Sequence, residues 1–286
     1  MDWILEPLQY GFFSRGLIAV VLIAAICAVV GVYVVLRGLS YIGDAMAHAV
    51  FPGVVGAFIL RANLFVGALA AAVLTAIAIA FVRRNSKLRE DSSIAIVFVG
   101  MFALGIMLLS KARTYKVNLE NFLVGNPLAV SGDDLGSILI VGGLVVLILL
   151  VLHKELVLVA FDETEARVIG LPVELLNNLL LVLIALTVVL AIQMVGTVLV
   201  VSLLVASSAT ARQLTDRFSR MMVLAAFIGA SAGVIGLYAS YYLATAPGAT
   251  IVMVNTLLFV LALSWNVVRS RILAARVATV VPTEKL

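Results

Sequence analysis

Long apolar stretches that are almost free of charge limit most strongly what this chain can fold into. A membrane-spanning helix needs about 20 apolar residues, with a range of about 17 to 25. Runs near that length fall at residues 15–36, 43–60, 64–82, 92–110, 136–153, 175–193, 195–211, 219–240 and 249–268. Because lipid offers no hydrogen-bond partner to a peptide group, each run is expected to be helical. The pattern predicts an all-α polytopic membrane protein of about nine helices. A count of eight to ten helices remains open. The second, sixth and seventh runs have tight connections, which suggests that these spans are re-entrant, tilted or broken.

The remaining polar sequence is too small to build a separate soluble domain. Charged residues make up 12% of the 286, against about 25% in a typical soluble domain. We expect one transmembrane domain over 1–286, with a membrane core at 15–268 and a tail at 269–286. The first run is too long for a signal-peptide core and is taken as a permanent span. The sequence has no GxxxxGK[ST] loop and no HExxH motif, which argues against a nucleotide motor or a zinc protease within this chain.

Basic residues divide unequally between the two sides that nine spans would create. The N-terminal end and the connections after even-numbered spans contain five basic residues: Arg15, Arg61, Lys111, Arg113 and Lys116. The connections after odd-numbered spans have more: Arg37, Arg83, Arg84, Lys87, Arg89, Lys154, Arg167, Arg212, Arg217, Arg220, Arg269, Arg271, Arg276 and Lys285. Positively charged connections are retained in the cytoplasm. The sequence therefore predicts a cytoplasmic C-terminus and an external N-terminus.

Asp44 and His48 are an ionisable pair within the apolar second run, in the stretch SYIGDAMAHAVFPG. Burying a charge in hydrocarbon is costly, so such residues indicate a functional site unless they are otherwise satisfied. At positions i and i+4 of a helix their Cβ atoms lie about 5–6 Å apart, close enough to bind one cation. A carboxylate oxygen and an imidazole nitrogen suit Mn²⁺, Fe²⁺ or Zn²⁺. The alternative is that Asp44 caps the helix and His48 is a satisfied interior histidine.

Two longer connections are candidate contact surfaces for soluble proteins. The outer one, residues 111–134, mixes both charge signs and suits an external partner, or is an ordinary solvated loop in which Asp133 or Asp134 caps the next helix. The inner one, residues 161–174, contains Glu163, Glu165, Ala166 and Arg167 in a pattern that predicts a short amphipathic helix. Gly170 is expected to end this helix, with Pro172 just beyond.

Three further features have simpler interpretations. The single cysteine excludes an intrachain disulfide and is expected to pack in the interior. The second histidine lies at the inner end of the fifth run, where an interfacial role is expected. Glycines within the spans are expected to let helices approach closely, within the fold or between two copies. The cysteine is Cys27 and the histidine is His153. The glycines are Gly53, Gly56, Gly100, Gly105, Gly229, Gly233 and Gly236.

Six stretches together resemble the ABC-3 family, the permease subunits of bacterial ABC importers for manganese, zinc and iron. The resemblance extends from about Phe12 to Trp265 and rests on VLRGLSYIGDAMAHAVFPGV, REDSSIAIVFVGMFALG, LENFLVGNPLAVS, FDETEARVIGLP, MVGTVLVVSLL and SYYLATAPGATIVMV. It implies an ABC importer type II-like permease fold in the bacterial plasma or inner membrane. It also implies three partners: a second copy of the chain, a cytoplasmic ABC ATPase subunit and an extracytoplasmic metal-binding protein. ATP hydrolysis would then occur on the separate subunit, with no nucleic acid partner and no permanently bound cofactor.

The resemblance also implies roles for particular residues. Asp44 and His48 match the aspartate and histidine of the family pattern GDxxxHA, which are thought to coordinate the ion. The FDETEARVIGLP stretch matches the cytoplasmic segment that contacts the ATPase. Its matched residues are Asp162, Glu163, Glu165, Ala166, Arg167 and Gly170.

The chain departs from the family pattern at two places. Many members have a proline where this chain has Ala206, Ser207 and Ser208, so a kink in the seventh span is open. Zinc permeases of the family often have a second histidine at the position of Val99. Because oxygen-rich sites suit Mn²⁺ better, manganese is the expected cargo.

Several other functions remain open at this point. A zinc or iron permease of the same family would keep the architecture and change only the metal. An ion-coupled secondary transporter would use Asp44 as a proton or sodium relay. An intramembrane enzyme or a structural scaffold is the third class.

Overall fold

The computed structural model describes residues 5–111 and 127–280, with side chains up to residue 269. Over these ranges the chain is helical and forms no strand. In chain order the helices are α1 (Gly11–Leu36), α2 (Ile42–Ala49), α3 (Phe51–Ile59), α4 (Leu64–Asn85), α5 (Glu90–Lys111), α6 (Gly132–Ser137), α7 (Gly143–Val151), α8 (His153–Phe161), α9 (Glu163–Val168), α10 (Val173–Val195), α11 (Thr197–Val201), α12 (Ser207–Leu214), α13 (Phe218–Leu243) and α14 (Pro247–Val280). Short 3-10 helices lie at Pro7–Gln9 and Pro127–Ala129, and π-helical turns at Ile138–Gly142 and Ser202–Ala206.

Nine helical stretches of the described chain are long and apolar enough to cross a membrane, which confirms the predicted fold class. Three of them are composite: α2 with α3, α6 with α7, and α11 with α12. The last helix continues to Val280, past the predicted end of the ninth span at residue 268. The predicted external docking surface at 111–134 lies largely outside the described residues, as does the end of the tail.

The second span is broken in its middle. α2 ends at Ala49, and α3 begins at Phe51 with Pro52 in its first turn. Proline has no N–H, so the helical hydrogen bond from position 52 to the carbonyl of His48 cannot form. The broken span that the sequence suggested is confirmed, and Asp44 and His48 lie together on the short first half.

The seventh span is irregular without a proline. A π-helical turn at Ser202–Ala206 interrupts it, and such turns leave some backbone groups without helical partners. The buried side chain of Asn255 on α14 donates from Nδ2 to the Ser202 carbonyl at 3.0 Å and to Ser207 Oγ at 3.0 Å. The seventh span therefore contains a wide turn at the place where the sequence left a kink open, and an amide from the last span stabilises this turn.

The deepest burial is found in α1, in the α2–α3 pair and in α10, whereas α5, α6–α7 and α14 are mostly exposed. Cys27 on α1 is fully buried, as predicted. Lipid is as apolar as these side chains, so close packing rather than apolar burial holds such helices together. The molecule therefore depends on tight contacts among its central helices.

Some of the predicted glycines lie at such contacts and others do not. A Cβ on Gly53 would lie 2.1 Å from the Gly67 carbonyl oxygen, and a Cβ on Gly233 would lie 2.6 Å from a side-chain atom of Val20 on α1. In contrast, a Cβ on Gly56 or Gly100 would meet nothing within 4 Å in this chain. Close packing within the fold is confirmed for the first two glycines and not for the last two.

Candidate metal site

Asp44 and His48 occupy the one face of α2 that the described part of the chain leaves partly exposed. Nε2 of His48 lies 3.7 Å from Oδ1 of Asp44, and the two side chains are 30% and 43% exposed, respectively. The other residues of this helix are buried against the chain: Ile42, Gly43, Ala45, Met46, Ala47 and Ala49. The predicted pair is therefore brought together on an accessible surface.

The spacing of the two side chains suits binding of one shared ion better than a direct hydrogen bond between them. At 3.7 Å the imidazole nitrogen and the carboxylate oxygen are too far apart for a good hydrogen bond, so their lone pairs remain available. Among the described residues, no group of three or more His, Cys, Asp or Glu side chains could bind a metal ion. Within the described residues, this pair could therefore supply at most two ligands to an ion.

The capping alternative does not fit the helix start. α2 begins after Tyr41, which is the N-cap, so Asp44 lies inside the first turn rather than at the cap position. A carboxylate in the first turn is still favoured by the helix dipole. That contribution is small, and it explains neither the histidine one turn later nor its exposure.

Aromatic rings from α5 enclose the imidazole, which the sequence analysis missed. The His48 ring centroid lies 5.6 Å from Phe102 in an edge-on contact and 6.0 Å from Phe98. Phe98 also contacts Tyr41 at the start of α2. These contacts restrict the rotation of the His48 side chain. A possible signal was present in the sequence, because two phenylalanines four residues apart occupy one face of the fourth predicted span.

The predicted inner helix forms as α9, Glu163–Val168. Asp162 is its N-cap and accepts from the backbone N–H groups of Thr164 at 2.8 Å and Glu165 at 2.9 Å. Gly170 follows the helix with φ of 89°, a backbone conformation that favours glycine. The predicted short helix and its terminating glycine are confirmed, whereas the capping role of Asp162 was not predicted.

Most of the surface of α9 is exposed. Ala166 is fully buried against the chain, while Glu165 and Arg167 are exposed and the apolar Val168 is 83% exposed. Arg167 lies 3.9 Å from Glu163 one turn earlier, and these two side chains are 62% and 45% exposed, respectively. The exposed surface of α9 is thus mainly charged, with one apolar side chain on it.

Arg37, at the end of α1, contacts Glu163 at the start of α9. Its side chain is only 6% exposed, and its Nη2 donates to Glu163 Oε1 at 3.1 Å and to the side-chain oxygen of Asn177 on α10. Asn177 Nδ2 in turn donates to Glu163 Oε1 at 2.9 Å. Burial lowers the pKa of Arg37, while the carboxylates of Glu90 and Glu163 raise it. An arginine so placed stays charged, and the side chains of Arg37, Glu163 and Asn177 form one hydrogen-bonded cluster.

A polar cavity of about 340 Å³ opens beside this cluster at the same end of the molecule. Its lining residues are Ala80, Arg83, Arg84, Glu90, Glu163, Arg167, Glu174, Asn177 and Asn178. The three arginines in this set come from connections that the sequence placed in the cytoplasm. The structure thus gathers the end of α4, helix α9 and the starts of α5 and α10 at one face.

His153 lies within the helical packing rather than simply at a membrane surface. Its Nδ1 is 3.1 Å from the hydroxyl of the fully buried Tyr33, and its ring packs 5.2 Å from Phe218. The histidine therefore joins α8 to α1 and α13. Nothing in these contacts suggests a metal.

A GxSxG pattern at residues 229–233, which the sequence analysis overlooked, is not a catalytic turn. Ser231 lies in the middle of α13 and donates to the carbonyl of Ile228. A nucleophile elbow requires a sharp turn between a strand and a helix. The serine is therefore an ordinary helical residue.

Comparisons with known proteins agree with this architecture. Residues 9–266 match the family described as the ABC 3 transport family. The manganese transport system membrane protein MntC of Halalkalibacterium halodurans is 43% identical over 90% of this chain and 88% of its own length. The chelated iron transport system membrane protein YfeD of Yersinia pestis is 39% identical over 91% of this chain and 88% of its own length. Among solved structures, PsaBC from Streptococcus pneumoniae in complex with Fab superposes with a TM-score of 0.80 at 35% identity, covering 91% of this chain and 94% of that one.

Proposed function

Since this chain belongs to the ABC-3 transport family, we propose that it is the permease through which an ABC importer moves manganese into a bacterial cell, with Asp44 and His48 as ligands in transit. The chain is a multi-pass bacterial membrane protein with the fold of an ABC importer permease. It is a transport subunit for a metal of the manganese, iron and zinc type, and not an enzyme. The proposal concerns which metal is carried and which residues bind it.

The observation on which the proposal rests most is the exposure of Asp44 and His48 on a helix that is otherwise buried. An ionisable pair at a protein surface within a membrane span needs hydration, a partner or an ion. Two protein ligands give a weak site, and a transport pathway requires an ion that can leave as readily as it enters. The geometry therefore supports a transient metal site.

A second copy of the chain would complete the coordination. The described part of one copy contributes no third side chain of the required kind. Two copies related by a two-fold axis would place the same pair on both sides of the path, giving two carboxylates and two imidazoles. The uncovered face of α2 is available for this arrangement, and we propose the homodimer on this basis.

The ligand set favours manganese over zinc. The described residues contain one cysteine, Cys27, which is fully buried on α1 and not on the exposed face of α2. Val99, the position of a second histidine in many zinc permeases, is 59% exposed on α5 and follows directly after Phe98, which contacts His48. A site with carboxylate oxygen, water and few imidazoles suits Mn²⁺ better than Zn²⁺. The manganese name of one relative supports this choice, and the iron name of another makes Fe²⁺ the nearest competitor.

We further propose that α9 contacts a cytoplasmic ABC ATPase and that an extracytoplasmic metal-binding protein delivers the ion at the opposite end. The charged, exposed face of α9 supports the first contact. The gathering of Arg83, Arg84 and Arg167 at this end supports its cytoplasmic location, by the rule that positive charge stays inside. Residues 1–286 would then act as one permease domain with its tail in the cytoplasm.

The proposed function is tested by metal uptake into proteoliposomes containing this chain with and without its ATPase subunit. We expect ATP-dependent accumulation of ⁵⁴Mn²⁺ by the complex and none by the chain alone. Cellular metal content under manganese, zinc and iron limitation, with and without the gene, identifies the physiological cargo. Loss of zinc or iron instead of manganese would overturn the metal assignment, and gradient-driven uptake by the chain alone would favour a secondary transporter.

The aromatic contacts of His48 predict a second effect. Phe102→Leu keeps an apolar side chain but removes the ring that packs edge-on against the imidazole. Loss of groups that orient a metal ligand typically weakens binding by about 10- to 100-fold, and a loosened ring should give the lower end of that range. We expect the Mn²⁺ concentration for half-maximal uptake to rise about tenfold. Phe81→Leu is the control, since Phe81 is 67% exposed on α4; equal values for the two variants would contradict the positioning role.

A further inference from the structure

We propose that Arg37 is a positioning residue that links the ATPase-contacting helix α9 to the metal-bearing helix α2. In this arrangement a movement of α9 is transmitted through Arg37 to Asp44 and His48. The inference rests on the proposed function, in which α9 contacts the ATPase and the Asp44–His48 pair binds the ion. It adds the physical connection between these two sites.

The first half of the connection is the hydrogen-bonded cluster of Arg37, Asn177 and Glu163, in which the side chains of Arg37 and Asn177 are buried and that of Glu163 is 45% exposed. Glu163 is the first residue of α9, and its Oε1 accepts from both Arg37 Nη2 at 3.1 Å and Asn177 Nδ2 at 2.9 Å. Because the Arg37 side chain is only 6% exposed, separation from Glu163 would leave a mostly buried guanidinium without its carboxylate partner, which is unfavourable. A displacement of Glu163 should therefore move Arg37 with it.

The second half is the short turn between Arg37 and α2. Leu39 N–H donates to the Val34 carbonyl at 2.9 Å and Gly38 N–H to the Val35 carbonyl at 3.2 Å, with Gly38 at φ of 73°. This pair of bonds is a Schellman motif, in which glycine adopts the left-handed conformation that ends the helix. The Ile42 N–H then donates to the Leu39 carbonyl at 2.9 Å, so the turn is bonded at both ends. Leu39 is also buried, at 2% exposure. The link from Arg37 to α2 is short and stiff.

The other ion pairs at this end do not make the same connection. Arg84 and Glu174 lie 3.9 Å apart and are 75% and 61% exposed, where a pair contributes little. Arg83 and Glu90 join α4 to α5 at 3.0 Å. Among the ion pairs of the described residues, only Arg37–Glu163 connects α9 to another helix.

The test compares metal transported with ATP hydrolysed in the reconstituted complex of permease and ATPase. Residues along a coupling route typically change the coupling between sites by a few-fold to about 30-fold. For Arg37→Gln we expect about tenfold less Mn²⁺ moved per ATP, with ATP hydrolysis changed by less than about twofold. Arg37→Lys keeps the charge and should restore part of the ratio. Arg84→Gln is the matched control and should behave as the wild type.

A labelling experiment provides a readout that does not depend on transport. Cys27 is fully buried, so a cysteine introduced at the exposed Ser40, within the turn before α2, is the accessible thiol of this chain. In the complex we expect the labelling rate of Ser40→Cys to differ between nucleotide-free and ATP-bound states. Adding Arg37→Gln should remove that difference, and a difference that persists unchanged would overturn the inference.

The outcomes separate this inference from the proposed function. If Asp44→Asn abolishes uptake while Arg37→Gln leaves both the ratio and the labelling unchanged, the link is wrong and the metal site stands. If Asp44→Asn leaves uptake intact, the site fails and the inference fails with it. If Arg37→Gln does not assemble with the ATPase, Glu163→Gln tests the same contact, because its amide oxygen still accepts a hydrogen bond without the charge. It should then lower the ratio in the same direction, and an unchanged ratio would again overturn the link.

Discussion

Asp44→Asn is expected to lower Mn²⁺ uptake by at least about tenfold while leaving the amount of protein in the membrane unchanged. The substitution keeps the size of the side chain and one oxygen but removes the negative charge that a hard divalent cation requires. The side chain is partly exposed and lies beyond good hydrogen-bond distance from His48, so the folded chain should lose little stability. The measurement is the initial rate of ⁵⁴Mn²⁺ uptake by the reconstituted complex, with protein content determined in parallel.

Three further variants sharpen this prediction. Asp91→Asn removes an exposed carboxylate from the first turn of α5 and should leave uptake unchanged. His48→Ala should reduce uptake as strongly as Asp44→Asn, and the double variant should be no worse than about the stronger single one, because both act on one site. Independent, additive losses would indicate that the two side chains do not bind the same ion. Normal uptake by Asp44→Asn would remove the site assignment altogether.

Gly31→Ala is expected to destabilise the folded protein severely. A Cβ at this position on α1 would lie 1.8 Å from the carbonyl oxygen of Leu204 and 2.6 Å from Ser208 Oγ. The first obstacle is the backbone of the π-helical turn in the seventh span, which cannot rotate away as a side chain could. Overpacking of a core typically costs about 1–3 kcal/mol, and a backbone clash should reach or exceed the upper end. We expect a large drop in the midpoint of thermal unfolding in detergent, measured by fluorescence-detected gel filtration after heating.

Gly100→Ala is the matched control for this substitution. Gly100 also lies within a spanning helix, and a Cβ there would meet nothing within 4 Å in this chain. Alanine is the better helix former, by about 0.5–1 kcal/mol, so the thermal midpoint should stay the same or rise. A similar loss for both variants would mean that the helix contact at Gly31 is not the cause. If Gly100→Ala alone impaired dimer formation, that glycine would lie at the contact between two copies.

Local features were predicted well because their causes lie close together in the sequence. The end of α9 was predicted from Gly170, which acts on backbone groups within a few residues, and Asp162 caps the start of the helix in the same local way. The break in the second span was suggested by its tight connections, and Pro52 is its local cause. The spacing of Asp44 and His48 also required only a helix, so the candidate metal ligands were identifiable before the fold was known.

Contacts between distant segments were not predicted. Phe98 and Phe102 looked like ordinary apolar residues of a membrane span, and only the packing of α5 against α2 brings them to His48. Arg37 was counted only as a charge that sets the topology. Its burial against Glu163 and Asn177, which follow it by 126 and 140 positions, depends on how three helices meet.

The sequence by itself determined that this chain is a bundle of membrane helices, since a lipid environment forces every long apolar run to satisfy its backbone internally. It also predicted where α9 ends and which residues are candidate metal ligands. Only the tertiary structure decided which face of each helix is covered. Most of these spans are apolar on all sides, so their composition cannot distinguish a side facing lipid from one facing another helix. That choice depends on close shape complementarity between segments far apart in the chain. It leaves Asp44 and His48 partly exposed and buries most of the Arg37 side chain.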